Sequence, residues 1–174
     1  MPTSYPLVSP SPSLLLSHQL WDWAGVDGLQ FARAVFGDDI GKIAPFQSIE
    51  TLYQTYPCSV LRLCEGNFRV AIAPEVSFRE DTQAIHSNLR MWLKPSEPIV
   101  AIALPDERGM DMLPEIATTK PIYRLDSLRS NCAVPARVNG IAILVWRHSV
   151  SGTPILELHV ALSNLDALQT LLTR

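Results

Sequence analysis

Residues 137–162 read RVNGIAILVWRHSVSGTPILELHVAL. Apolar and polar side chains alternate along two runs joined by a turn, the pattern of strands with two different faces. With His148 paired to Thr153, Val145, Ile143 and Ile141 fall opposite Leu156, Leu158 and Val160. That face is wholly aliphatic, so pattern and register support each other. The opposite face carries Trp146, His148, Glu157 and His159. A hairpin this apolar needs more strands and a covering layer. What its polar face does is the functional question.

A second hairpin signal lies upstream. CSVLRLC and NFRVAIA flank Glu65-Gly66, a plausible two-residue turn. With Cys64 opposite Asn67, the residues Leu61, Leu63, Phe68, Val70 and Ile72 share a core face. Arg62 then faces Arg69. Like charges across a strand pair need something negative between them. An acidic side chain of the same chain, a ligand anion or an acidic patch on another protein would each serve. IVAIAL at 99–104 reads as a short buried strand.

Helix signals surround these strands. Ser13 can cap a helix running to Trp23. DGLQFARAVFG places Gln30 three residues after Asp27 and stops at Gly37. SIETLYQTY predicts a short helix from Ser48. DTQAIHSNLRMWL spaces Ile85, Leu89, Trp92 and Leu93 along one helical face. SNLDALQTLLTR does the same with Leu165, Leu168, Leu171 and Leu172. Residues 105–135, with four prolines, read as irregular. The expected architecture is α+β: a mainly antiparallel sheet of about five strands, formed by two hairpins plus one strand, with helices packed on one face. Residues 1–13, rich in Pro and Ser, are expected to form a flexible arm, and residues 14–174 a single domain.

Only 18% of the residues are charged against 47% hydrophobic. Charged residues usually make up about 25%, so apolar surface is expected to be covered by another protein or by a copy of the chain. The net charge of −3 argues against nucleic acid or an anionic membrane. Charge is uneven, with a net −6 over residues 1–117 and +3 over 118–174. Lys120, Arg124, Arg129, Arg137 and Arg147 form the basic stretch, which an acidic protein would suit. No run approaches the ~20 apolar residues of a membrane span, and the N-terminus has no basic region before its short Leu14-Leu15-Leu16 run. Three cysteines without a tight motif do not make a disulfide framework. A cytoplasmic location follows as the expectation.

No motif calls for a nucleotide, a metal or another cofactor. The phosphate-cradling glycine loops, C-x-x-C pairs, H-E-x-x-H and G-x-S-x-G are all missing from the sequence. The acids Asp106, Glu107, Asp111 and Glu115 match no calcium loop. Two function classes stay open. The first is a non-catalytic partner-binding protein: an assembly factor, chaperone-like adaptor or regulatory subunit. It would dock through the sheet face around Trp146, with His148, Arg62, Arg69, Arg124 and Arg129 as further binding residues. The second is a small enzyme or ligand-binding domain using Glu157 and His159, a carboxylate and an imidazole two apart on one strand.

Overall fold

A computed structural model of the protein describes residues 14–15 and 18–173, so the expected arm at 1–13 lies outside the described residues. In chain order the elements are β1 (Leu14–Leu15), β2 (Gln19–Gly25), α1 (Gly28–Phe36), β3 (Ser48–Tyr53), β4 (Tyr56–Cys64) and β5 (Asn67–Ile72). The short helices α2 (Phe78–Asp81) and α3 (Gln83–His86) lead to β6 (Met91–Pro95) and β7 (Ile99–Pro105). Then come α4 (Asp106–Ile116), β8 (Ala117–Thr119), β9 (Cys132–Val138), β10 (Ile141–Val150), β11 (Thr153–Ala161) and α5 (Leu165–Leu172).

The strands form two sheets, in the orders β1-β7-β11-β10-β9-β8 and β3-β4-β5-β2-β6. The pairings are antiparallel. This is the α+β, antiparallel class that the sequence predicts, but the two expected hairpins fall in different sheets, and segments expected to be helical (β2, β3, β6) or irregular (β8, β9) supply further strands.

Each sheet buries one face under helices and turns the other toward its partner sheet. On the first sheet Ile102, Val145 and Leu158 pack with Leu113 of α4 and Leu168 of α5. On the second, Trp23 lies stacked on Phe68 and edge-on to Phe31 of α1, and Phe78 of α2 closes the cluster. Between the sheets lie Trp146, Ala101 and Ala133 from one side and Leu20, Leu61 and Ala71 from the other. Small alanines around one indole let two sheets approach closely, as close-packed interiors require.

Several expectations change. The segment leading to Trp23, expected to be helical, contains β1 and β2. Leu20 points to the other sheet while Trp21 and Trp23 point to the helices, a period of two. SIETLYQTY is not a helix either: Ser48–Tyr53 form β3, as their β-branched and aromatic content favours, and Gln54-Thr55 turn the chain into β4. The stretch after Asp81 holds the short α3 and then β6 in place of one helix. Residues 106–116 are helical despite Gly109 and Pro114, with Asp106 and Glu107 favourably placed in the first turn. Gly109 sits where α4 meets β11: a Cβ there would come within 2.8 Å of Leu156. Helix α1 forms where expected, but Asp27 does not cap it; its carboxylate takes Arg90 instead.

The two hairpins show register at work. In the C-terminal pair, Val145 faces Leu158 and Ile143 faces Val160, two residues from the expected pairing. A slip of two preserves both faces, so the aliphatic face and the polar face stand as read. The tighter pairing follows from a two-residue turn at Ser151-Gly152, with φ of 48° and 81°. In the upstream pair Cys64 does face Asn67, but a bulge between Arg62 and Cys64 moves Arg62 opposite Phe68 and Leu61 opposite Arg69. The expected confrontation of Arg62 and Arg69 is thereby avoided, and Leu61 faces the space between the sheets with Arg69.

A candidate functional site between the sheets

The polar face of the C-terminal hairpin is buried against the second sheet. Trp146 is 0% exposed and its indole N–H donates to Ser48 Oγ at 2.9 Å. His148 stacks on the indole with ring centroids 3.9 Å apart, and His159 meets it edge-on at 5.7 Å. Trp146 and Glu157 are direct cross-strand partners. The face is an inner wall, not an open docking surface.

At its centre Glu157 is fully buried and accepts from three imidazoles. His159 Nε2 lies 2.6 Å and His18 Nε2 3.0 Å from Oε1; His148 Nε2 lies 2.8 Å from Oε2. Burial by itself raises the Glu157 carboxyl, but the hydrogen bonds from His148, His159 and His18 outweigh it and hold the group well below the usual 4.5. Behind His159 stands Arg69, with Nη1 2.9 Å from Nδ1. A guanidinium only donates, so His159 Nδ1 accepts and its Nε2–H donates to Glu157. Burial lowers the His159 pKa from the usual 6.5; the Glu157 bond opposes this and Arg69 reinforces it. Arg69 in turn makes a paired contact with Asp22 at 2.7 and 2.8 Å. The acid that Arg69 needs is thus supplied within the chain.

The cluster spans both sheets. Glu157 and His159 belong to β11 and His148 to β10; Arg69 belongs to β5, Asp22 to β2, and His18 immediately precedes β2. His148 Nδ1 also meets Ser59 Oγ of β4 at 3.1 Å. All three imidazoles direct a nitrogen at the carboxylate, and among the described residues no group of three His, Cys, Asp or Glu is arranged to hold a metal ion.

A cleft of about 710 Å³ opens beside this cluster. His18, Ser59 and His148 form its polar floor, and Leu52, Pro57, Ile72 and Pro74 are among its apolar walls. Glu50 and Glu75 stand at the rim, and among the described residues no Lys or Arg lines it. The size is that of a small-molecule site. His18 keeps 13% of its side chain exposed, whereas Glu157 keeps none. Cys58 also lines the cleft, but burial pushes its thiol up to about 12.

The remaining expected residues lie elsewhere. Arg62 donates to the backbone carbonyls of Ile43 and Glu65 and stacks 5.6 Å from the Phe68 ring centre. Arg124 forms an exposed pair with Asp126, and Arg129 is exposed. Sequence reasoning brings Glu157, His148 and His159 together but misses His18, Ser59 and Asp22. They reach the cluster from 139, 89 and 47 residues away along the chain.

Neither a family model nor a curated protein sequence matches the chain. Solved structures do. Aminomethyltransferase T of the glycine cleavage system from Bartonella henselae superposes with a TM-score of 0.72 at 15% identity, over 99% of this chain and 50% of that one. A chain of the heterotetrameric sarcosine oxidase from Corynebacterium sp. U-96, solved with pyrrole 2-carboxylate, superposes with a TM-score of 0.67 at 14% identity, over 92% of this chain and 80% of that one. This chain therefore spans about half the length of the aminomethyltransferase. At these identities the likeness establishes the fold alone. The expectation of a non-catalytic adaptor docking around Trp146 is overturned: the indole is buried, and the solved structures that the chain resembles are an aminomethyltransferase and a sarcosine oxidase chain.

Proposed function

We propose that the protein is one component of a multi-chain enzyme acting on a small amino acid substituted at nitrogen. The observation that carries this reading is the end-to-end likeness to a chain of a heterotetrameric oxidase, 92% of this protein over 80% of that chain. The aminomethyltransferase adds a common chemical thread, since sarcosine and an aminomethyl group each carry a carbon on an amine nitrogen. The low charge density supports a protein partner. No helix among the described residues is long and apolar enough to cross a membrane, which is compatible with a cytoplasmic assembly.

The test is to tag the protein in its native host and purify what it assembles with. The reading expects larger chains at fixed stoichiometry that persist after nuclease treatment. A monodisperse protein with no companion chain refutes it.

A further inference from the structure

The cleft beside Glu157 has a chemistry of its own. Its floor is polar and anion-backed, its rim is acidic, and its walls are apolar. Arg69 is matched by Asp22, and behind the floor stands the buried Glu157 carboxylate. Glu50 and Glu75 add charge of the same sign, and among the described residues the lining contributes no lysine or arginine. Glu50 and Glu75 at the rim repel an anion. A cation with a few methyl or methylene groups meets attraction from both depths and can rest on Leu52, Pro57, Ile72 and Pro74.

We propose that this cleft binds a small organic ammonium ion, drawn in by Glu50 and Glu75 and presenting an N–H to His18. The proposal deepens, and rests on, the reading of the protein as part of an enzyme handling a substituted amine. His18 suits the role because Glu157 holds its Nε2 and fixes the ring at the cleft floor. His148 borders the same floor, pinned between Ser59 and Glu157.

The experiment uses the full chain with 15N-labelled histidine rings. The probes are methylammonium, dimethylammonium, tetramethylammonium and acetate. The first two carry an N–H cation, the third a cation without N–H, and the fourth no cation. The proposal expects saturable shifts of the His18 and His148 ring signals with the three cations and none with acetate. The paired substitution Glu50→Gln with Glu75→Gln should weaken all three cations at least tenfold. His18→Gln should weaken methylammonium and dimethylammonium at least fivefold and leave tetramethylammonium unchanged. Because Glu50 and Glu75 are exposed, their variants report on binding even if His18→Gln disturbs the fold. No saturable shift up to tens of millimolar, or equal binding of acetate, overturns the proposal. Binding unaffected by the paired glutamate change overturns it too. An assembled enzyme that turns over while the cleft binds no amine removes this inference and leaves the subunit reading standing. Amine binding by a chain that assembles with nothing does the reverse.

Discussion

Replacing Glu157 by alanine removes the acceptor shared by three imidazoles from both sides of the sandwich. His18 lies near solvent and can turn to water. His148 and His159 are at most 1% exposed in their side chains and cannot. Two stranded buried donors cost about 1–3 kcal/mol each, and breaking one partner out of a buried ionic cluster costs about 3–5 kcal/mol. The two routes agree on roughly 3–5 kcal/mol, a large part of the ~5–15 kcal/mol that holds a domain folded. For a chain of this size each kcal/mol lowers the melting midpoint by about 2–4 °C, so a fall of about 6–20 °C is expected. Glu157→Gln should cost less, about 1–2 kcal/mol. Its oxygen still accepts, and His148 can switch tautomer to receive the amide N–H while donating to Ser59. Urea titrations followed by tryptophan fluorescence and far-UV circular dichroism measure both variants. A loss below about 1 kcal/mol for the alanine variant would falsify the view that this cluster joins the sheets.

Acid should act in two stages. His159 has a lowered pKa when folded, so the unfolded chain binds the extra proton first and stability declines as pH falls below 6.5. Glu157 is depressed as well, so its contribution is present above 4.5 and is lost below that value; a pH series of urea midpoints that is flat between 7 and 4 contradicts both. Trp146→Ala should destabilise by about 3–5 kcal/mol as a buried aromatic truncation, visible in the same titrations. Gly28→Ala should unfold the chain or cost several kcal/mol, because the new Cβ would lie 2.0 Å from the Gly66 carbonyl oxygen, where backbone cannot yield easily; thermal melts read it directly. Mass-mapped alkylation at neutral pH should modify exposed Cys64 and spare Cys58, whose thiol is buried and pushed up to about 12.

Much of the architecture is legible where pattern alone decides it. The faces of the C-terminal hairpin follow from alternation and survive a two-residue register shift, because faces depend on parity alone. Helices α1 and α5 carry clear apolar spacing and stop signals. The turn at Asn139-Gly140, with φ of 48° and 84°, is a local signal for β9 that the expected irregular stretch at 105–135 overlooks. Strands β2 and β3 are hidden because short apolar segments after a serine also resemble capped helices. Helix α4 is hidden because glycine and proline there look like breakers, although Gly109 serves close packing on Leu156. The second sheet could not be placed because sheet-to-sheet stacking has no local signature. That is also why Trp146 reads as an exposed anchor: the same alternation describes a face open to a partner and a face covered by the chain itself. In the site, Glu157 and His159 are adjacent in sequence and visible. His18 and Ser59 arrive through long-range pairing, and only the unanswered charge of Arg69 points to an acid such as Asp22.

The proposed role is that of a component of a multi-chain enzyme acting on a substituted amine. The most direct measurement is consumption of N-methylglycine by the complex purified from the native host, compared with the same preparation from a strain lacking this chain. The account predicts amine consumption that the deletion abolishes and the purified protein restores. No consumption with the chain present, or equal consumption with and without it, contradicts the account.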